Sequence, residues 1–151
     1  MSYTIHVSCR FQAPPEEVFR FHDDPANLTR ITPSFHSARI ARFDPPGKGS
    51  RVRVALRLFR IIPATLEMEF VVYDPPKRLT DEIREGMFPE FRHQRDFQAD
   101  GGGTLLTETV QYTPPFGTLG RLVDPIAIAP ALRSMFAYRH RRMKELLDSV
   151  H

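Results

Sequence analysis

Residues 50–60 read SRVRVALRLFR, and residues 64–73, after a short Ile61-Ile62-Pro63 break, read ATLEMEFVVY. In the first run Val52, Val54, Leu56 and Leu58 alternate with Arg51, Arg53 and Arg57. In the second, Leu66, Met68, Phe70 and Val72 share one face, and Glu67 and Glu69 share the other. A period of two sends alternate side chains to opposite sides of a strand. Two such neighbours predict a sheet with one dry side and one wet side. Across the wet side the arginines face glutamates, which reads as ordinary cross-strand ion pairing.

Strands continue on both sides of this pair. Residues 3–11 alternate, with Tyr3, Ile5, Val7, Cys9 and Phe11 on one face. Ala13-Pro14-Pro15 ends that strand, Pro15 suits the first turn of a helix, and Glu16 and Glu17 suit its positive end. Val18, Phe19, Phe21 and His22 continue this short helix. A second short one begins at Pro25-Ala26-Asn27-Leu28 and stops at Thr32-Pro33. Further strands are expected at 38–43, 78–85, 90–98 and 104–113. The turns between them are marked by Asp-Pro-Pro-Gly at 44–47, Asp-Pro-Pro at 74–76, Gly86 to Pro89, and Asp-Gly-Gly-Gly at 100–103.

The C-terminus reads as one long helix with Asp124 as N-cap and Pro125 in the first turn. Leu132, Phe136, Met143, Leu147 and Val150 form its apolar stripe. Arg139 and His140 interrupt that stripe, and solvation is the weightier explanation for both. Pro130 should kink the helix or mark its true start. Short turns between consecutive strands imply an antiparallel meander. A sheet with one dry face needs a cover, and this helix is the element large enough to supply it. The expected architecture is α+β: about seven curved antiparallel strands around a long C-terminal helix, with two short helices after the first strand. Residues 1–151 are expected to form a single domain.

Composition narrows the function classes. Hydrophobic residues at 41% and charged residues at 26% fit a globular protein. No run approaches the ~18 apolar residues of a membrane helix, and residues 1–11 lack a signal-peptide pattern. Cys9 is the only cysteine, so no internal disulfide can form, and a cytoplasmic setting is expected. The net charge is only +3, and the arginines are interspersed with acids along the chain, so no nucleic-acid footprint is seen. The dense cluster Arg139-His140-Arg141-Arg142 with Lys144 falls near a helix C-terminus, where positive charge is favoured. A monomer or homodimer without integral membrane association is expected.

Several local patterns resemble the START-like helix-grip superfamily, also called SRPBCC. They are Ala13-Pro14-Pro15-Glu16-Glu17-Val18-Phe19, Asn27-Leu28 through Ile31-Thr32-Pro33, and Asp81. Gly86-Met87-Phe88, Phe91-x-His93-x-Arg95-x-Phe97, and Gly103-Thr104-x-x-x-Glu108-x-Val110-x-Tyr112-x-x-Pro115-Phe116-Gly117 follow, and Phe136-x-Tyr138-Arg139 completes the set. The resemblance spans nearly the whole chain and is closest to a bacterial ligand-binding subgroup. It implies a helix-grip fold and either carriage of a small hydrophobic molecule or polyketide cyclase or dehydratase chemistry. The subgroup's pattern carries Trp at position 91, His at 95 and Asp at 108, where this chain has Phe91, Arg95 and Glu108.

Strand parity gives a candidate site independently. Leu79, Asp81 and Ile83 share a face, as do Phe91, His93, Arg95 and Phe97, and Leu106, Glu108, Val110 and Tyr112. With tight turns, Asp81 should lie opposite His93, and His93 opposite Glu108. Four ionisable groups would then line one wall of an apolar hollow, where charge is unfavourable unless paired.

Three readings compete: a satisfied polar network that sets strand register, a ligand anchor, and a catalytic site. As an anchor, His93 and Arg95 would grip a hydroxyl or carboxylate. Val52, Val54, Leu56, Leu66, Met68, Phe70 and Phe136 would clasp an apolar body, with Phe91, Val110, Tyr112 and Arg139 completing the lining. As a catalyst, His93 would be a general base oriented by Asp81 or Glu108, and Arg95 would stabilise an enolate. Binding of a lipid-like or aromatic molecule leads, the enzyme follows, and a partner-binding outer face ranks last. Tyr138 is a weaker pocket candidate, as are Pro114-Pro115-Phe116-Gly117 and Met87-Phe88 at the rims. The six histidines, at 6, 22, 36, 93, 140 and 151, show no metal-ligand spacing, and the glycines form no phosphate-binding loop, so neither metal nor cofactor is expected.

Overall fold

Seven strands pair antiparallel in the order β1-β7-β6-β5-β4-β3-β2 in a computed structural model that describes residues 2–33, 37–58 and 60–150. Phe59, His36, His151 and the side chain of Leu58 lie outside what is described. The strands are β1 (Tyr3–Phe11), β2 (Ser37–Phe43), β3 (Arg51–Leu58), β4 (Ile62–Asp74), β5 (Arg78–Glu85), β6 (Glu90–Asp100) and β7 (Gly103–Thr113). Helices α1 (Pro15–Asp23) and α2 (Asn27–Arg30) follow β1. Helix α3 (Gly117–Val123), a π-helical turn at Asp124–Ile128 and α4 (Ala129–Leu147) run on without a break. The meander, the short helix pair and the terminal helix make this an α+β helix-grip fold.

The wet face carries the expected ion pairs in a connected series. Arg53 meets Glu85 and Glu67, Arg51 meets Glu67 and Glu69, and Arg84 bridges Glu69 and Glu82, which also holds Arg92. Each pair is partly exposed, so each adds little to stability.

Bulges curl the sheet and reset its parity. The β4–β5 register shifts between Phe70 and Val72. Phe70 faces Asp81 on the inner side, but Val72 pairs with Thr80 on the outer side. The inward position expected for Val72 is therefore taken by Tyr73, which packs against the core. One extra residue in a strand reverses every later side chain.

The terminal helix starts earlier than expected. Asp124 is not its N-cap. It lies mid-helix and accepts a 2.8 Å hydrogen bond from the Tyr112 hydroxyl. Pro125 and Pro130 survive inside the helix because the chain widens between them: the Ala129 N–H bonds to the Asp124 carbonyl, five residues back. A proline removes a helix donor, and a π turn is a place where the ladder is already altered. Leu132, Phe136, His140, Met143 and Leu147 form the buried stripe, and Val150 is exposed.

The interior is layered. One apolar cluster joins Phe11, Val18, Phe19, Leu79, Phe97, Leu106, Met143 and Leu147. A second joins Ile5, Val110, Tyr112, Leu132 and Phe136, with Phe88 and Phe91 against it. Between them, on the same strands and the same helix, lie Asp81, His93, Arg95, Glu108 and His140, all buried.

Candidate functional site

Strand alternation puts every second residue of β5, β6 and β7 on the concave face, and two of those rungs on β6 are His93 and Arg95. Asp81 lies opposite His93, as expected. Glu108 does not: it lies opposite Arg95, and Val110 faces His93. The reason is the turn. Gly101 and Gly102, both at positive φ (56° and 84°), form a two-residue loop that pairs Asp100 with Gly103. That centres the hairpin one residue later than assumed and moves each partner by two.

The charges settle into pairs diagonally. Arg95 and Asp81 form a buried ion pair. Glu108 Oε2 lies 3.3 Å from His140 Nε2 and 3.6 Å from His93 Nε2. Burial alone would raise the Glu108 carboxyl, but His93 and His140 together hold it well below the usual carboxylate range. The ionised carboxylate can only accept, so His140 Nε2 carries the proton in that bond. His140 is thus a buried partner of Glu108 rather than a solvated interruption of the stripe. Its four-residue step from Phe136 was the available signal.

A cavity of about 90 Å³ opens beside this cluster. Asp81, His93, Arg95 and Glu108 line one side, with Arg139 and Met143 from α4. Val52, Met68 and Phe70 of β3 and β4 line another. The end of α1, its connection and α2 close it with Phe21, His22, Asp24, Pro25, Asn27, Leu28 and Ile31. Met68, Phe70, Asp81, His93, Arg95 and Glu108, which strand parity put on one face, meet here, and Arg139, for which solvation was the weightier expectation, joins them from α4.

Val54, Leu56, Leu66, Phe91, Val110, Tyr112 and Phe136 do not line it. Val110, Tyr112 and Phe136 build the second apolar cluster, with Phe91 against it. Phe136 still touches the polar layer edge-on, its ring centre 5.2 Å from that of His93. Tyr138 lies under Arg141, Phe88 packs on Phe91 and Tyr112, and Pro114 and Pro115 are buried away from the cavity.

His22 was not foreseen as a site residue. It occupies the helical step after Val18 and Phe19 that points at the sheet, and periodicity alone could have flagged it. Burial, reinforced by the Arg95 charge, lowers its pKa to about 3. Burial also brings Arg95 down to about 10 and lowers Arg139. Among the described residues, four buried nitrogens around the cavity have no hydrogen-bond partner: His22 Nε2, His93 Nε2, Arg95 Nε and Arg139 Nε. Such atoms are rare in folded interiors, and they concentrate here at one hollow. Among the described residues, no three His, Cys, Asp or Glu side chains converge as metal ligands. No helix among them is long and apolar enough to cross a membrane.

Comparisons with known proteins agree with this fold. A protein from Chromobacterium violaceum, CV1439, superposes with a TM-score of 0.79 at 16% identity, covering 97% of this chain and 98% of its own. Ms6760 from Mycobacterium smegmatis gives 0.73 at 18% identity, covering 98% and 92%. Major latex-like protein 151 from Panax ginseng gives 0.73 at 14%, covering 97% and 98%. No curated protein matches the sequence. The profile described as "Polyketide cyclase / dehydrase and lipid transport" matches residues 2–148. With the helix-grip topology and the concave polar layer already in place, that match over almost the full length shows that the chain belongs to the polyketide cyclase/dehydrase and lipid transport family.

Proposed function

We propose that this protein binds a small, largely apolar molecule by a polar head seated in the ionisable layer. The observation that carries this reading is the convergence of four unpartnered buried nitrogens on one cavity with an apolar far wall. Pockets commonly combine a greasy lining with a few oriented polar groups. At about 90 Å³ the cavity takes a head group and not a whole guest. Drug-sized pockets run to ~300–1,000 Å³. The body of the guest would lie along Phe21, Leu28, Ile31, Val52 and Met68, with the four-residue helix α2 moving aside.

Native mass spectrometry on purified protein, followed by a panel of fatty and aromatic compounds, tests the reading. A retained or added ligand at one-to-one stoichiometry is expected, and no adduct across the panel would defeat it.

The catalytic alternative has one observation in its favour. His93 Nε2 reaches the cavity without a hydrogen bond, 3.6 Å from Glu108, as a general base awaiting substrate would. His93→Ala separates the two: it weakens binding if His93 is an anchor and abolishes turnover of a cyclisable polyketide if it is a base.

A further inference from the structure

We infer that the guest is a carboxylate and that Arg139 on α4 is the residue that meets its charge. This rests on the binding role proposed above and names the chemistry of the head group.

Asp81 is engaged by Arg95, and Glu108 is engaged by His140 with His93 alongside. Arg139 has no carboxylate within ion-pair distance among the described residues. Its guanidinium lies 5.8 Å above the Phe136 ring, and its Nε is buried without a partner. Arg139 is half-buried, and a cation drawn partly out of water is unfavourable unless something pairs with it, of which the ring supplies only part. The carboxylates of the layer are occupied, and the buried Nε finds no acceptor in the chain, so a bound molecule is the natural source of one.

The remaining nitrogens agree with an acceptor-rich head. Arg95 Nε is an obligate donor, as is Arg139 Nε, and both lack acceptors. His22 Nε2 and His93 Nε2 adjust their tautomers to donate as well. A planar carboxylate presents two oxygens and about four lone-pair sites, which matches converging donors of this kind. A hydroxyl offers fewer acceptor sites to these donors and carries no charge to meet Arg139. The volume also fits, since a carboxylate with its first carbons is small enough for the polar end while the chain leads to the apolar wall.

The test uses decanoic acid, 1-decanol and methyl decanoate, which share one chain and differ at the head, titrated into the whole protein by calorimetry. The acid is expected to bind roughly 10- to 100-fold more tightly than the alcohol or the ester, the range for one charge-assisted hydrogen-bonded contact. Arg139→Met keeps a long side chain over Phe136 and removes the charge. It is expected to erase the acid's advantage, so that the acid then binds no more tightly than the alcohol or the ester. Equal binding of the three compounds by the unaltered protein would overturn the inference while leaving the binding role intact. So would an advantage that survives Arg139→Met. Binding of none of them, nor of aromatic acids and their methyl esters, would overturn both. Should the variant fail to fold by circular dichroism, the three-compound comparison on the unaltered protein still decides.

Discussion

Asp81 and Arg95 are the pair whose loss should be felt most. Both are buried, and each is the other's main compensation. Removing one partner of a buried pair leaves an uncompensated charge and costs about 3–5 kcal/mol. Asp81→Leu should therefore lower the urea midpoint sharply. The double variant Asp81→Leu/Arg95→Met should recover much of that loss, because no charge then remains stranded. A double variant as unstable as the sum of the two singles would show that the pair is not coupled as described.

Also at this scale lies His22, whose pKa of about 3 in the fold compares with an unfolded value near 6.5. Between those values the unfolded chain binds a proton that the folded chain does not. Stability must therefore fall as pH drops from about 6.5 toward 3, at up to about 1.4 kcal/mol per pH unit. Urea titrations at pH 6.5 and 5.0 should show the fall, and His22→Gln should flatten it. The Glu108 carboxylate adds its own loss at lower pH, since its pKa is held below the unfolded value.

At the scale of elements, helix α3 combines a strict requirement with an unusual freedom. A Cβ on Gly120 would overlap the Pro115 carbonyl oxygen. Glycine to alanine inside a helix ordinarily gains about 0.5–1 kcal/mol. Gly120→Ala should instead destabilise, by about 1–3 kcal/mol, because the neighbour is backbone and cannot swing away. Thermal unfolding gives the sign directly. On the opposite side, Phe116, Leu119, Leu122 and Ile126 are 64–78% exposed. Replacing Leu119 and Leu122 by Gln should shift stability by no more than about 0.5 kcal/mol each, since neither packs against the fold.

These same elements show which features could be read in advance. The strands were visible because Val52–Leu56 and the Phe91–Phe97 rungs alternate cleanly, and the β5–β6 register followed from a short turn. Alternation puts Val72 inward and the structure does not, because a bulge leaves no mark in a run of apolar residues. Asp124-Pro125 imitates a helix start so well that the continuous helix from Gly117 was hidden. Only Tyr112, folding back to bond Asp124, and the widened turn reveal it. His140 was misjudged for a related reason: Arg139, Arg141 and Arg142 on either side gave its segment a solvated look, while helical phase carried it inward.

For the molecule as a whole, half of the expected lining residues meet at the cavity and half do not, and the layering explains the division. Parity tells which face a residue is on but not how far along the strand a void will open. Val54, Val110, Tyr112 and Phe136 have the right face and the wrong height. They fill the interior and leave the hollow to the rung that carries charge.

The stratified interior has a consequence for how such a chain diversifies. Sheet and helix are clamped together above and below the ionisable band, so the band is not the principal clamp. Substitutions at lining positions outside the paired charges, such as 22 and 139, change the wall of the hollow while leaving both apolar layers in place. The shape itself tolerates far wider change, since chains only 14–18% identical to this one share it.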